Sequence, residues 1–145
     1  MIGLIQRAAY ASVVIDDQPV AAIEAGIMLL LGVEKEDSQA KADRLLQRVL
    51  NYRIFADAQG RMNCSLLDMG YELLIVPQFT LPADTRKGNR PGFSPAAPPE
   101  LGQALFGYFC QQAEELLGQS NCGVFGADMK VHLVNDGPVT FWLQQ

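Results

Sequence analysis

Residues 26–33, GIMLLLGV, form an unbroken apolar run that constrains the fold more than any other part of this sequence. A strand with one face in water alternates between apolar and polar residues, whereas a continuous apolar run is typical of a central strand that is covered on both faces. As a helix, the run would be far too short to span a bilayer. It therefore predicts the middle of a sheet that has packed side chains on both sides.

Patterns elsewhere predict the rest of the sheet and two helices. Further strands are predicted at 4–16, 19–24, 71–79, 128–135 and 139–144, with a hairpin turn at 57–62. Apolar residues at helical spacing predict a helix within 36–55, for which Asp37 or Ser38 is a suitable N-cap. A second helix is predicted at 98–118, because prolines suit its first turn and Gly118 suits its end.

The order of these elements predicts the fold class. Strands and two main helices follow one another without a regular βαβ repeat, which is typical of an α+β fold. We expect one domain over residues 1–145, with a mixed or antiparallel sheet, or a small barrel, and both helices packed on one side. Strand-rich domains of this kind often expose a sheet edge, and this favours a homodimer.

Charge and cysteine content limit the classes of function. A net charge of −5 argues against a protein that coats a long nucleic acid, since such proteins neutralise phosphates with a basic face. A local basic patch for one nucleic-acid end stays possible. The three cysteines are widely spaced and odd in number, which argues against a disulfide framework and fits a reducing cytoplasm. The N-terminal residues lack the pattern of a signal peptide, so we expect a cytoplasmic protein without a membrane segment.

The usual catalytic constellations are missing from the sequence. His132 is the one histidine, and strand alternation places it with Lys130 and Val134 on a solvent-facing side. The sequence contains no CxxC or HxxxH spacing, which would indicate a metal site. It also contains no glycine-rich phosphate loop, which would indicate a nucleotide cofactor. We therefore expect no metal and no cofactor. An enzyme with this sequence would work largely without a side-chain general base.

Three segments remain as candidate sites. The backbone N–H groups of Phe79 and Thr80 follow a predicted strand and are candidate donors to an oxyanion, although the segment is also compatible with a plain strand end. The Gly137–Pro138 pair permits close backbone approach to a ligand and a cis peptide bond, and it is equally compatible with an ordinary β-turn.

The third segment is a basic loop in an otherwise acidic chain. Arg86, Lys87 and Arg90 lie within five residues and are suited to binding phosphate, and Phe93 is suited to stacking on a base. The alternative is a solvated charged loop without a ligand.

Together, and in this order, these segments resemble one family. The stretches MIGLIQRAAYASV, LLLGVEKED, RVLNYRIF, DAQGRMN, QFTL, ADT, RPGFS and FGADMKVHLVNDGPVTFWLQ cover nearly the whole chain. They resemble the D-aminoacyl-tRNA deacylases, also known as the D-tyrosyl-tRNA deacylase family. The QFTL segment and the final segment are the most specific parts of the match.

This resemblance implies a function and a site. It implies a homodimer that hydrolyses the ester of D-aminoacyl-tRNA at the subunit interface, with Gln78, Phe79 and Thr80 as the catalytic segment. It also implies that Gly137 and a cis Pro138 enter the partner's site and exclude L side chains by their backbone. The ribose 2′-OH then assists hydrolysis, and a covalent Thr80 nucleophile ranks lower because no activating base is evident. Exclusion of side chains cannot reject glycine, so glycyl-tRNA is expected as a second substrate.

The sequence departs from the family pattern at Pro77, where a serine is usual. This substitution puts in doubt any role for a hydroxyl at that position. Two other functions stay open at this stage. One is a non-catalytic module that binds RNA ends or unwinds origin DNA, and the other is a dimeric α+β domain that scavenges small molecules.

Overall fold

The computed structural model describes residues 1–119 and 121–145. Its strands are β1 (Ile2–Ile15), β2 (Gln18–Ile23), β3 (Gly26–Gly32), β4 (Phe55–Ala56), β5 (Met62–Cys64), β6 (Glu72–Pro77), β7 (Asn121–Cys122) and β8 (Lys130–Gln144). Its helices are α1 (Gln39–Leu50), α2 (Leu66–Met69) and α3 (Pro99–Leu117). The predicted α+β class is confirmed.

The main sheet is organised around the long strand β1. The strand order is β2-β1-β3-β6-β7, and β8 also pairs with β1. The three partners of β1 are antiparallel to it, whereas β3–β6 and β6–β7 are parallel. Because β2 and β3 share one edge of β1, β8 occupies the other edge along its length. β2 also contacts β6 and β7, so the sheet curls into a nearly closed barrel.

Strand β3 is central, as its apolar run predicts. On one face, Ile27, Leu29 and Leu31 join the larger core with the helices. On the other face, Met28 packs into a second cluster with Leu74 of the neighbouring strand. Both faces are therefore covered, and this explains why the run contains no polar residue.

The two long helices begin and end close to the predicted positions. The apolar residues predicted to line one face of α1 are buried, and Ser38 takes the N-cap position; the buried residues are Ala42, Leu45, Leu46, Val49 and Leu50. Pro99 lies in the first turn of α3, and Gly118 ends it in the left-handed conformation. Asp37 is buried instead of capping the helix, and it accepts a hydrogen bond from the Glu34 N–H at 2.7 Å.

Two parts of the fold differ from the sequence prediction. The short helix α2 was missed, although its capping box between Ser65 and Asp68 has a recognisable spacing. The prediction of two separate strands at 128–135 and 139–144 is wrong, because β8 is continuous from Lys130 to Gln144. Strand β1 is long enough to pair with both halves, and only the residues between Asn135 and Thr140 leave the ladder.

The smaller predictions have clear outcomes. The hairpin turn at 57–62 is confirmed, since β4 and β5 pair across it and Asp57 N–H donates to the Arg61 carbonyl at 2.8 Å. His132, Lys130 and Val134 are exposed on one side of β8, as alternation predicts. Among the described residues, none of the helices has the length and apolar character needed to cross a membrane.

Candidate active site

The candidate catalytic segment is a tight turn at the end of β6. Gln78 N–H donates to the Leu31 carbonyl at 2.8 Å, which fixes the start of the turn against β3. Leu81 N–H then donates to the Gln78 carbonyl at 3.3 Å, and Ala83 N–H to the Thr80 carbonyl at 3.2 Å. The turn is thus held by backbone bonds on both sides of the predicted site residues.

Two backbone donors in this turn have no partner. The N–H groups of Phe79 and Thr80 find no acceptor in the described parts of the chain, 1–119 and 121–145. Both residues are exposed, with Phe79 at 62% of its full accessibility. Free, neighbouring N–H groups on a fixed turn are suited to stabilising a developing negative charge on oxygen.

The Thr80 hydroxyl is held by an amide. Gln78 Nε2 donates to Thr80 Oγ1 at 2.6 Å. A carboxamide cannot accept a proton as a general base does, so this contact orients the hydroxyl without activating it. Among the described residues, no histidine or carboxylate hydrogen-bonds to Thr80.

Pro77 occupies the last position of β6 and pairs with Leu31. Successive N–H groups along a strand point to opposite sides. The N–H of Gln78, the residue after Pro77, points to β3. A donor at position 77 would therefore point to the other side, where β7 has already ended at Cys122 and the ring faces Gly123. The last bond on that side runs from the Gly123 N–H to the Ile75 carbonyl at 2.8 Å, so the proline stands where the β6–β7 ladder ends.

An apolar groove of about 590 Å³ lies beside this turn. Pro77, Phe79 and Phe93 form one side of it, and Phe125 and Met129 form part of the other. The rings of Phe79 and Phe93 lie 5.3 Å apart between centroids, so the fold brings together two residues that were predicted separately. Phe125 and Met129 were not predicted as site residues, although both lie in the final stretch of the family resemblance, about fifty positions from Phe79.

The basic loop is closed at its base. Asp84 and Gly92 exchange two backbone hydrogen bonds, of 2.7 and 3.0 Å. The Arg86 guanidinium forms a fork with the Asp84 carboxylate, with bonds of 2.8 and 2.7 Å. This hydrogen bonding by Arg86 holds the pKa of Asp84 well below its usual range. Lys87 and Arg90 are exposed, and with Ser94 they line a cavity of about 430 Å³.

Gly137 and Pro138 project from the bulge in β8, and the peptide bond between them is cis. Gly137 has φ of 139°, in the region that favours glycine. Arg7 Nε donates to the Asp136 carbonyl at 2.9 Å, and Arg7 Nη1 donates to the Ile54 carbonyl at 2.6 Å. The bulge is exposed, and neither Gly137 nor Pro138 is among the described residues that line the groove beside Phe79.

The family model for D-Tyr-tRNA(Tyr) deacylase matches residues 4–144 of this chain. The chain belongs to this family. The family assignment made from the sequence is confirmed, and so is the expectation of an enzyme of the D-aminoacyl-tRNA deacylase class.

Relatives in this family match the full length of the chain. A D-aminoacyl-tRNA deacylase of Glaesserella parasuis serovar 5 (strain SH0165) is 60% identical over 144 residues, which are 99% of each protein. One from Janthinobacterium sp. (strain Marseille) is 56% identical over 144 residues, which are 99% of this chain and 97% of the relative.

Two solved structures share the fold. The c-Myc DNA Unwinding Element Binding Protein has a TM-score of 0.95 and 38% identity, over 100% of this chain and 99% of that one. A probable eukaryotic D-amino acid tRNA deacylase has a TM-score of 0.86 over 99% of this chain and 98% of that one. At 18% identity, the second similarity concerns the fold alone.

The deacylase family fold leaves one long strand edge open in this chain. Within the described residues, β8 pairs only with β1. Its outward side chains include Val134 at 58% exposure and Trp142 at 50%. An open edge with large apolar side chains is suited to association with another chain.

Proposed function

We propose that this protein hydrolyses the ester of D-aminoacyl-tRNA and releases the free D-amino acid and tRNA. Besides the family membership of the chain, one structural observation supports this proposal. Phe79 and Thr80 are exposed residues whose N–H groups lack acceptors in the described part of the chain, on a turn fixed by its own backbone. They supply the oxyanion donors that ester hydrolysis needs without a catalytic side chain.

The proposed reaction uses water and the substrate's own ribose. The water oxygen bonds to the ester carbonyl carbon, and the oxyanion that forms accepts hydrogen bonds from the Phe79 and Thr80 amides. The bond from carbon to the ribose oxygen then breaks, and that oxygen takes a proton. The neighbouring ribose hydroxyl assists these proton movements, while the apolar groove beside Phe79 offers the terminal base a surface for stacking.

The proposed selectivity for D substrates depends on a second copy of the chain. Gly137 and Pro138 are exposed on their bulge and do not line the groove beside Phe79 in their own chain. Pairing of two chains through their β8 faces, with Val134 and Trp142 buried, would bring each bulge to the partner's site. The backbone there crowds the α-carbon from the side on which an L side chain projects.

The same arrangement predicts a proofreading role with two substrates. A D side chain points away from the bulge, and glycine has no side chain to exclude. The enzyme would therefore hydrolyse D-aminoacyl-tRNA and mischarged glycyl-tRNA, while L-aminoacyl-tRNA survives. Because the partner is the acceptor end of tRNA, we place this activity in the cytoplasm.

The decisive experiment incubates the purified protein with D-tyrosyl-tRNA, L-tyrosyl-tRNA and glycyl-tRNA. We expect loss of the D and glycyl esters and survival of the L ester. Equal stability of the D and L esters would overturn the proposed activity. Loss of the D ester with full resistance of glycyl-tRNA would instead refute exclusion by the backbone alone.

A non-catalytic role with DNA is the second candidate. It is favoured by the likeness to the c-Myc DNA Unwinding Element Binding Protein at 38% identity. The net charge of −5 argues against broad contact with a duplex, since phosphate contacts need cations. A protein that is inert toward all three esters but opens an AT-rich duplex would support this second function.

A further inference from the structure

The loop at residues 84–92 has a rigid base that presents a short basic tip. Asp84 and Gly92 bridge the base through reciprocal backbone bonds. Asp84 Oδ1 also accepts the Arg86 N–H at 3.1 Å, in addition to the fork with the guanidinium. Lys87 and Arg90 lie on the short segment between these bridged ends.

The charge of Arg86 is already used inside the loop. The Asp84 carboxylate engages two N–H donors of the guanidinium, and its negative charge offsets that of Arg86. Hydrogen bonding by Arg86 lowers the pKa of Asp84, and the two side chains form a salt bridge of 2.7 Å. Of the three cations predicted for nucleic-acid binding, Arg86 is therefore the least available.

The other two cations are free to bind an anion. Within the described residues, neither Lys87 nor Arg90 has a hydrogen bond or an ion pair from its side chain. Both line a cavity together with Asp84, Arg86 and the exposed Ser94, whose hydroxyl is a further donor. Two cations and a hydroxyl around one opening match the chemistry of a phosphodiester.

The loop is attached to the candidate active site at both ends. Thr80, Asp84 and Arg86 line one continuous cavity on one side. On the other side, the Phe93 ring contacts Phe79. A nucleic-acid strand whose last nucleotide lies beside Phe79 therefore leaves the site along the basic tip.

We infer that Lys87 and Arg90 bind backbone phosphates next to the terminal nucleotide of the tRNA acceptor strand, whereas Arg86 acts as a brace for the loop. This inference rests on the proposed function and divides the roles within the basic segment. It predicts a sequence-independent, salt-dependent contact, because phosphates carry the interaction.

The test measures binding of uncharged tRNA by fluorescence anisotropy at several salt concentrations. The double variant Lys87→Gln/Arg90→Gln should bind about tenfold more weakly. Its plot of log K against log salt concentration should become less steep by about 1.4, the value for two single-strand phosphate contacts. The control is Arg44→Gln/Arg53→Gln, which removes the same charge from exposed positions outside the loop and its cavities. It should keep the wild-type salt slope, whereas an equal loss in both double variants would overturn the local site.

Arg86 is tested with two substitutions. Arg86→Lys keeps the charge but loses the fork to Asp84, and Arg86→Ala loses both. If Arg86 is a brace, the two variants should weaken binding to a similar extent with little change in the salt slope. Near-wild-type binding by Arg86→Lys with a clear loss in Arg86→Ala would make Arg86 a phosphate ligand and contradict the division.

These measurements separate this inference from the proposed function, because uncharged tRNA binds without being hydrolysed. Wild-type hydrolysis of D-tyrosyl-tRNA together with unchanged tRNA binding by Lys87→Gln/Arg90→Gln would overturn the loop assignment alone. A wild-type protein that binds tRNA through the loop but cleaves no ester would support the loop and reject the deacylase proposal. Circular dichroism melts of each variant confirm that the fold is intact.

Discussion

The Asn135 carboxamide accepts the Val139 N–H at 2.8 Å and so bridges the bulge that carries Gly137 and Pro138. Its Nδ2 also donates to Thr140 Oγ1 at 2.9 Å. These two bonds replace the ladder to β1, which is interrupted between the Gln6–Thr140 and Ala8–Asn135 pairs. The side chain of Asn135 therefore sets the shape of the bulge from within.

We expect Asn135→Ala to reduce discrimination between D and L substrates. Each of the two lost hydrogen bonds contributes about 1 kcal/mol, so the ratio of D to L deacylation rates should fall by at most about thirtyfold. The measurement is single-turnover hydrolysis of D-tyrosyl-tRNA and L-tyrosyl-tRNA. Asn135→Asp keeps the acceptor for Val139 N–H and should recover part of the ratio, whereas a lower melting temperature with an unchanged ratio would assign Asn135 to stability alone.

Thr80→Ala should retain most of the activity. The hydroxyl contacts Gln78 Nε2 and no base, while the proposed donor is the backbone N–H, which alanine keeps. We expect single-turnover hydrolysis of D-tyrosyl-tRNA to fall by less than about tenfold, far less than loss of an activated nucleophile causes.

The matched variant for this prediction is Thr80→Pro, which removes the N–H itself. Loss of one oxyanion donor should lower the rate by about a hundredfold or more, provided that a melt shows an intact fold. A collapse of several orders of magnitude in Thr80→Ala would instead identify the hydroxyl as the nucleophile.

Local patterns were sufficient to predict much of the fold. The spacing of Leu45, Leu46 and Val49 places α1, and the left-handed Gly118 ends α3, because these features depend on neighbours within one turn of helix. The continuity of β8 could not be predicted in this way. It depends on the length of β1, more than a hundred residues earlier, which pairs on both sides of the Gly137–Pro138 bulge.

Some features of the candidate site could likewise be predicted from the sequence, and others are visible only in the fold. Gln78 to Thr80 and Gly137–Pro138 were located by motif, and the free N–H groups of the first segment are visible only in the folded turn. The Asp84–Arg86 fork spans two residues and was compatible with the sequence, yet side-chain conformation decides whether Arg86 turns inward or outward. Phe125 and Met129 belong to the final stretch of the family resemblance, but only the fold brings them to the groove beside Phe79.

Gly26→Ala should strongly destabilise the fold. A Cβ at position 26 would clash with the Glu72 backbone carbonyl oxygen, at the start of the β3–β6 pairing. Backbone cannot move away as a flexible side chain does, so we expect a loss of about 3 kcal/mol in the free energy of unfolding.

Chemical denaturation measures this change, and Gly107→Ala is its control. Gly107 is exposed within α3, and a Cβ there would meet nothing within 4 Å. Alanine at that position should stabilise the protein by about 0.5–1 kcal/mol, because it favours the helix. A mild effect of Gly26→Ala, similar in size to that of Gly107→Ala, would show that the β3–β6 register can shift.

Pro77→Ser should change the deacylation rate little. The N–H that serine restores would point away from β3, toward the side on which β7 has ended, and the turn at Phe79 and Thr80 is already fixed by the Gln78 and Leu81 N–H groups. With the proposed transition-state donors unchanged, the rate should stay within about threefold of wild type.

Removal of the proline ring should lower the free energy of unfolding by about 0.4–1 kcal/mol, because the unfolded chain becomes more flexible. Single-turnover hydrolysis of D-tyrosyl-tRNA decides between two cases. A rate gain of a hundredfold would mean that a serine hydroxyl takes part in the reaction and that this chain works without it, whereas an unchanged rate leaves catalysis to the backbone.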